Sequence, residues 1–324
     1  MKDICILVPN GDNNLSSIAG SYKILSRAGE IWQKRCGDRP YTIRVIGSAP
    51  QASFHDGLFA VNPHASFAEI HSPYLVIIPS LNHNYAQALA ENAELVSWLK
   101  TCYASGAQIA SICTGAFLLA ETGLLDGKSC STHWSAAADF RQLYPNVKLE
   151  TDRLITDENG IYTNGGAFSF LNLIIYLIEK LYDRETAIVC SKIFQVEPDR
   201  TEQSPFIIFS GQKAHDDEVV IRAQQYMEEN IGARISVADL SEKFNVGRRN
   251  FDRRFYKATG NSPLEYAQRI KIEAVKKGLE TTRRQVSELM YDVGYSDTKA
   301  FREVFRKFTG LSPLEYRSRY NNNW

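Results

Sequence analysis

Phe251-Asp252-Arg253-Arg254-Phe255-Tyr256-Lys257-Ala258-Thr259-Gly260-Asn261-Ser262-Pro263-Leu264-Glu265-Tyr266 recurs as Phe301-Arg302-Glu303-Val304-Phe305-Arg306-Lys307-Phe308-Thr309-Gly310-Leu311-Ser312-Pro313-Leu314-Glu315-Tyr316. Ten of the sixteen positions are identical, all at an offset of 50. Self-similarity at a fixed period means one supersecondary unit built twice. The shared residues have mechanical roles. Gly260 and Gly310 suit the left-handed residue that closes a helix. Ser262 and Ser312 read as N-caps, each followed by proline at the first helical position and by Glu265 or Glu315 three residues after the cap. That is the pattern of a capping box, expected in both copies. Phe251/Phe255 and Phe301/Phe305/Phe308 fall on one helical face and are candidate core.

Upstream, Val237-Ala238-Asp239-Leu240 matches Val286-Ser287-Glu288-Leu289 at offset 49, so the second copy has one extra residue in its turn. Each copy therefore reads helix, short turn, helix, stop, next helix. The polar faces carry the chemistry. Arg248, Arg249, Asn250, Arg253 and Arg254 surround the first Phe pair, with Asp252 the only acid; Thr298, Lys299, Arg302 and Arg306 surround the second. A solvated surface is the plain reading of one basic helix. Two such helices, each second in a helix-turn-helix, fit DNA better, because there Arg and Asn reach base edges in the major groove. Arg248, Arg249, Asn250, Arg253, Thr298, Lys299, Arg302 and Arg306 are the candidate DNA contacts.

Taken whole, the 324 residues are 44% hydrophobic and 23% charged, which fits folded domains and excludes a disordered or collagen-like chain. The length calls for two or three domains. Lys+Arg and Asp+Glu are both 37, a zero that alone argues against a nucleic-acid binder. The zero is a cancellation. Residues 1–215 hold 17 basic and 21 acidic residues, net −4, and residues 216–324 hold 20 and 16, net +4. Between them, Glu197-Pro198-Asp199-Arg200-Thr201-Glu202-Gln203-Ser204-Pro205 is polar and has two prolines. The expected organisation is a domain over 1–195, a linker over 196–215 and a helical domain over 216–324.

Residues 1–195 alternate short apolar runs at 4–8, 41–46, 75–79, 108–112 and 161–163 with amphipathic stretches such as 86–103. Strands alternating with helices predict a parallel sheet with helices on both faces, a flavodoxin-like α/β arrangement. The start is too short in apolar length for a signal peptide, and no apolar run approaches the ~18 residues that span a bilayer, so a cytoplasmic protein without membrane association is expected. Cysteines 5, 36, 102, 113, 130 and 190 form no C-x-x-C pair. No metal or cofactor site is expected, and buried thiols are the default.

Cys113 stands apart. Gln108-Ile109-Ala110-Ser111-Ile112-Cys113-Thr114-Gly115-Ala116-Phe117-Leu118-Leu119 reads as a strand, a sharp turn at Cys113 and a departing helix, the geometry of a nucleophile elbow. A helix N-terminus there would lower the thiol's pKa. The two readings are a packed thiol and an exposed thiol lining a pocket.

Residues 216–324 resemble the AraC-type DNA-binding domain, two helix-turn-helix units joined by a linking helix, here over 263–279; Gly294-Tyr295-Ser296-Asp297, Phe301, Phe305-Arg306-Lys307, Gly310-Leu311-Ser312-Pro313 and Tyr316-Arg317 carry the likeness. The first copy departs from the pattern in having Gly247 where a small polar cap is usual. Residues 3–195, through the elbow, Gly123-Leu124-Leu125-Asp126-Gly127-Lys128 and Ser131-Thr132-His133-Trp134, are similar to the class I glutamine amidotransferase-like (PfpI-like) domain found in front of AraC-type domains. The resemblance implies a transcription regulator that binds double-stranded DNA as a homodimer and is controlled by a small molecule or by oligomerisation. Enzymes of that superfamily pair the elbow cysteine with an acid near the end of the first strand and often with a histidine. Here Ser17 stands where isonitrile-hydrating relatives have aspartate, and Thr114 replaces the histidine of the peptidase-like members. Without a titratable partner for the nucleophile no catalytic residue is assigned, and Ser17, Cys113, Thr114 and His133 become candidate ligand contacts. The alternative is a Cys113-dependent hydrolase or hydratase with an accessory DNA-binding module.

Overall fold

A computed structural model describes residues 1–82, 84–213 and 215–321; His83, Ala214 and Asn322, Asn323 and Trp324, the end of the 216–324 segment, lie outside the described residues. The chain divides into two compact units, Met1–Gln203 and Ser204–Trp324.

The first unit is built on strand Lys2–Val8, whose residues alternate between two buried layers. Ile4, Ile6 and Val8 join Ile18, Leu25, Phe170 and Leu173 on one face, and Cys5 and Leu7 join Val76, Leu99, Phe117 and Leu119 on the other. A strand apolar on both faces needs helices on both, and each fully buried Ile or Leu adds about 1.5–3 kcal/mol. The seven-stranded sheet runs Ile155–Glu158, Ile161–Asn164, Gln108–Ile112, Leu75–Ile78, Lys2–Val8, Tyr41–Gly47, Ala65–Ser66. All neighbours are parallel except the outermost pair, Ile155–Glu158 with Ile161–Asn164. Strand order reverses between Lys2–Val8 and Leu75–Ile78, and all five apolar runs of the sequence are strands of this sheet.

The stretch 86–103 is not one helix. It is two, Tyr85–Glu91 and Ala93–Ala104, broken at Asn92. Buried Asn92 accepts from Asn10 N at 2.8 Å and donates to Asn10 O at 3.0 Å and Ala88 O at 2.8 Å. The break places its amide to hold the loop after the first strand.

Residues expected as a linker are built into the two units. Thr201 O accepts from Leu154 N at 2.9 Å, and Gln203 N donates to Asp152 O at 2.9 Å. From Ser204 onward the chain packs against the helices of the second unit.

That unit has, among the described residues, helices Glu218–Glu229, Val237–Lys243, Arg248–Thr259, Pro263–Thr281, Val286–Asp292, Thr298–Thr309 and Pro313–Tyr320. The repeat survives in three dimensions: Arg248–Thr259 and Thr298–Thr309 have the same length at offset 50, and Val237–Lys243 and Val286–Asp292 at offset 49. Gly260 (φ 68°) and Gly310 (φ 71°) are left-handed caps of the two basic helices. Ser262 and Ser312 each cap the helix that follows, but only Ser312 forms the reciprocal box. The Glu265 carboxylate instead accepts from Arg269 at 3.1 Å, so the doubled capping box is a single one. Phe251, Phe255 and Tyr266 form one core with Val220 and Leu240; Phe301, Phe305 and Tyr316 form another with Ile272, Val275 and Leu279. Helix Pro263–Thr281 supplies both, Tyr266 and Ala267 to the first and Ile272, Val275 and Leu279 to the second.

Candidate nucleic-acid interface and the cysteine elbow

Burying Phe251, Phe255 and Thr259 on one side of the first basic helix turns its other side outward. Arg248, Arg249, Asn250 and Arg253 are exposed there, and Thr298, Lys299, Arg302 and Arg306 are exposed on the second. Asn250 Oδ1 accepts from Arg253 at 3.0 Å, which holds the two side chains together on the surface. Arg254 is different. Its Nε and Nη2 donate to the two carboxylate oxygens of Asp217 at 2.8 and 2.7 Å, so it ties the basic helix to the start of Glu218–Glu229. This pair holds the Asp217 carboxyl below the usual carboxylate range.

The caps differ too. Asp297 accepts from the backbone N–H of Lys299 and Ala300 at the start of the second basic helix. Gly247 offers no side chain to the first, which nevertheless begins at Arg248.

At offset 50, Asp252 corresponds to Arg302, Arg253 to Glu303 and Tyr256 to Arg306. Tyr256 is 64% exposed on the face of the first basic helix. Its sequence signal was the offset itself, since an exposed aromatic aligned with an arginine has no place in a core. The two helices thus present unlike sets of side chains on like scaffolds.

In the first unit, Cys113 follows strand Gln108–Ile112 with φ 55°, opens the short turn Cys113–Gly115 and leads into helix Ala116–Glu121. The elbow is tight because Gly115 lies against the neighbouring strand's end: a Cβ there would stand 2.5 Å from Pro79 O and 2.9 Å from Ile78 O. Cys113 is only 5% exposed, so it is a packed thiol and not an exposed one. Burial pushes its pKa above the ordinary value, outweighing hydrogen bonding from Ser80, Thr114 and the backbone N–H of Thr114 and His133. The expected lowering by the helix N-terminus is therefore overturned by desolvation.

Two hydroxyls, of Ser80 and Thr114, lie beside the elbow. Thr114 donates to Leu81 O at 2.6 Å, and Ser80 Oγ meets Thr114 Oγ1 at 2.9 Å and Leu81 O at 3.5 Å. Hydrogen bonds donated by these hydroxyls favour the thiolate, but burial outweighs that effect. Ser17 sits behind them, accepting from Ser80 N at 3.3 Å and donating to Asn14 O at 2.7 Å. His133 supplies its backbone N–H to the elbow while its ring Nδ1 meets Ser135 Oγ at 2.7 Å. Cys113 and Thr114 are thus brought together, Ser17 lies one hydrogen bond behind, and the His133 ring caps a turn. Ser80 and Thr132 were missed. Ser80 reaches the elbow only because Leu75–Ile78 and Gln108–Ile112 are adjacent strands, which no local pattern announces. Thr132 donates to Cys113 O at 2.9 Å, and Thr132 O accepts from buried Gln203 at 3.0 Å.

A cavity of about 300 Å³ lies beyond the ends of Lys2–Val8 and Leu75–Ile78, lined by Gly11, Asp12, Asn82, Asn84, Gln87 and Glu91. This is where strand order reverses, the usual place for a ligand crevice in an open α/β sheet. Among the described residues, no helix is long and apolar enough to cross a membrane.

Residues 41–180 match the DJ-1/PfpI family and residues 240–319 match a helix-turn-helix domain. The HTH-type transcriptional regulator GbdR of Pseudomonas aeruginosa is 28% identical over 228 residues, 69% of this chain. That alignment spans 61% of the relative's own length. Among solved structures, an AraC family transcriptional regulator from Pseudomonas putida superposes with a TM-score of 0.50 at 17% identity, over 60% of this chain and 98% of its own. Drosophila melanogaster DJ-1beta does so with a TM-score of 0.51 at 20% identity, over 60% of this chain and 98% of its own. At such identities the likeness is one of fold.

Proposed function

From a chain that joins a DJ-1/PfpI domain to an AraC-type helix-turn-helix domain, we propose a sequence-specific, double-stranded-DNA-binding transcription regulator. One observation carries the reading: two exposed basic helices, each second in a helix-turn-helix, repeat at an offset of 50 on one continuous scaffold. Such helices enter successive major grooves, with Arg249, Arg253, Lys299, Arg302 and Arg306 aimed at bases or phosphates. Because Asp252 and Arg302, Arg253 and Glu303, and Tyr256 and Arg306 occupy corresponding positions, the two helices read unlike sequences.

The first unit acts as the control domain and does no chemistry of its own. The buried thiol at Cys113, whose pKa desolvation holds above its ordinary value, supports this over the hydrolase reading. A small polar effector is taken at the end of the sheet where Asn82 lines the cavity and Ser80, two residues before, touches the elbow. Thr114, Ser17 and the His133 backbone then respond to it through Ser80 and Cys113. Gln203 extends the connection: it holds Thr132, which holds Cys113, and its own next residue begins the second unit. An effector acts only if it binds two arrangements of this chain unequally. The protein works as a homodimer on the chromosome, hence in the cytoplasm.

Selection of bound DNA from a random pool by the full chain tests the reading. Enrichment of a repeated half-site, each half with two unlike elements, is the expected result, with affinity falling steeply as salt rises. Failure to enrich any sequence overturns it.

A further inference from the structure

Residues 204–212 are not a tether. They run as a strap along helix Pro263–Thr281 and touch both copies of the helix-turn-helix. At one end Tyr320, in the last helix, donates to Pro205 O at 3.0 Å, and its ring meets Phe206 edge-on at 6.2 Å. In the middle, buried Lys276 donates to Ile207 O and is paired with Glu273 at 2.8 Å, while the same Glu273 accepts from Phe209 N at 3.2 Å. At the other end Gln212 O accepts from Gln224 at 2.9 Å and Gln212 Oε1 from Asn261 at 3.2 Å.

Phe209 is the node. On one side its ring packs edge-on against Tyr266 at 5.2 Å, and Tyr266 packs against Phe255 of the first basic helix at 5.4 Å. On the other side the Arg269 guanidinium lies between rings, 5.6 Å from Phe209 and 4.7 Å from Phe308 of the second basic helix. One side chain of the strap is thus a single residue removed from each DNA-facing helix. Aromatic and cation–π contacts hold orientation as well as distance.

We infer that the strap is a positioning element of the DNA reader: Phe209, through Tyr266 and Arg269, fixes the separation and angle of the two basic helices and so the spacing of the two DNA elements they accept. This rests on the DNA-reading function proposed above. One added base pair moves an element about 3.4 Å along the duplex and turns it roughly 35°, so a rigid reader rejects it and a loosened one tolerates it.

The test uses the full chain and its selected site, rebuilt with one or two base pairs added or removed between the elements of each half-site. The wild type is expected to lose about tenfold or more in affinity at each wrong spacing. Phe209→Ala is expected to bind the best site more weakly and to bring all spacings within about threefold of each other. Phe209→Tyr, which keeps the ring, restores the sharp optimum. Circular dichroism checks folding; if Phe209→Ala loses helix, Phe209→Leu, which keeps apolar bulk and removes the ring from Tyr266 and Arg269, is read in the same way. Uniform weakening at every spacing, or an unaltered profile, overturns the strap's role and leaves the DNA reading standing. A wild type with no sequence preference overturns the DNA reading itself, and the strap's role with it.

Discussion

Arg254 and Asp217, 37 residues apart, share two hydrogen bonds of 2.8 and 2.7 Å, while Arg253, one residue earlier on the same helix, is exposed and donates to Asn250. Adjacent arginines of one helix therefore differ: one ties the helix to its neighbour and the other lies on the surface proposed to meet DNA.

Arg253→Gln is expected to relax base preference in one of the two selected elements, with about 1–3 kcal/mol lost if its base contact is bidentate. Arg254→Gln is expected to lower the thermal midpoint and to leave the selected sequence unaltered. Repeating the DNA selection with each variant, beside a melting curve, decides between them. If Arg254→Gln alters the sequence and Arg253→Gln does not, the assignment of the two side chains is wrong.

The same pair has a pH signature. Its partner Arg254 lowers the folded pKa of Asp217 below that of an unpaired aspartate, about 3.9. The ion pair therefore contributes its stability in full above that unfolded value and loses it as pH falls through the folded one. Between pH 7 and pH 3 the wild type should lose more thermal stability than Asp217→Asn, which has no carboxylate to protonate. Parallel losses in the two proteins would show that Asp217 is not a linked group.

The repeat was legible because everything that specifies it is local. Gly260, Ser262 and Pro263 act within a few residues of themselves, and the Phe251/Phe255 spacing is that of one helix turn. The buried alternation in Lys2–Val8 was legible for the same reason. Asn92 was not, because an asparagine inside an apolar helical pattern shows nothing of Asn10, its partner 82 residues away. Ser80, Gln203 and the Arg254–Asp217 pair were hidden for that cause too: their roles come from topology. The pKa of Cys113 was misjudged because sequence displays the helix N-terminus but not the burial that outweighs it.

Alkylation makes the last point measurable. Cys36 is exposed and Cys113 is buried with a raised pKa. With iodoacetamide at neutral pH, Cys36 should be modified first and Cys113 only on unfolding, because the thiolate is the reactive form. Peptide mapping after a short exposure reads the order. Modification of Cys113 at or above the rate of a free thiol would restore the enzyme reading.

Two left-handed glycines should respond unequally to alanine. Gly260 (φ 68°) has open space where a Cβ would go, so Gly260→Ala should cost only the backbone penalty, about 1–2 kcal/mol. At Gly294 (φ 77°) the added carbon would stand 2.3 Å from Gly232 O and 3.3 Å from Lys271 Nζ. The strain at Gly294 adds a collision with backbone, and Gly294→Ala should be the more damaging by denaturant titration. Equal losses would contradict the close approach of the two turns.

Helix Pro263–Thr281 gives Tyr266 and Ala267 to one core and Ile272, Val275 and Leu279 to the other. A duplicated segment ordinarily yields two modules that evolution can shuffle, lose or replace one at a time. Here the copies share a wall. Neither can be deleted without opening its twin, so heat should melt them in a single cooperative step.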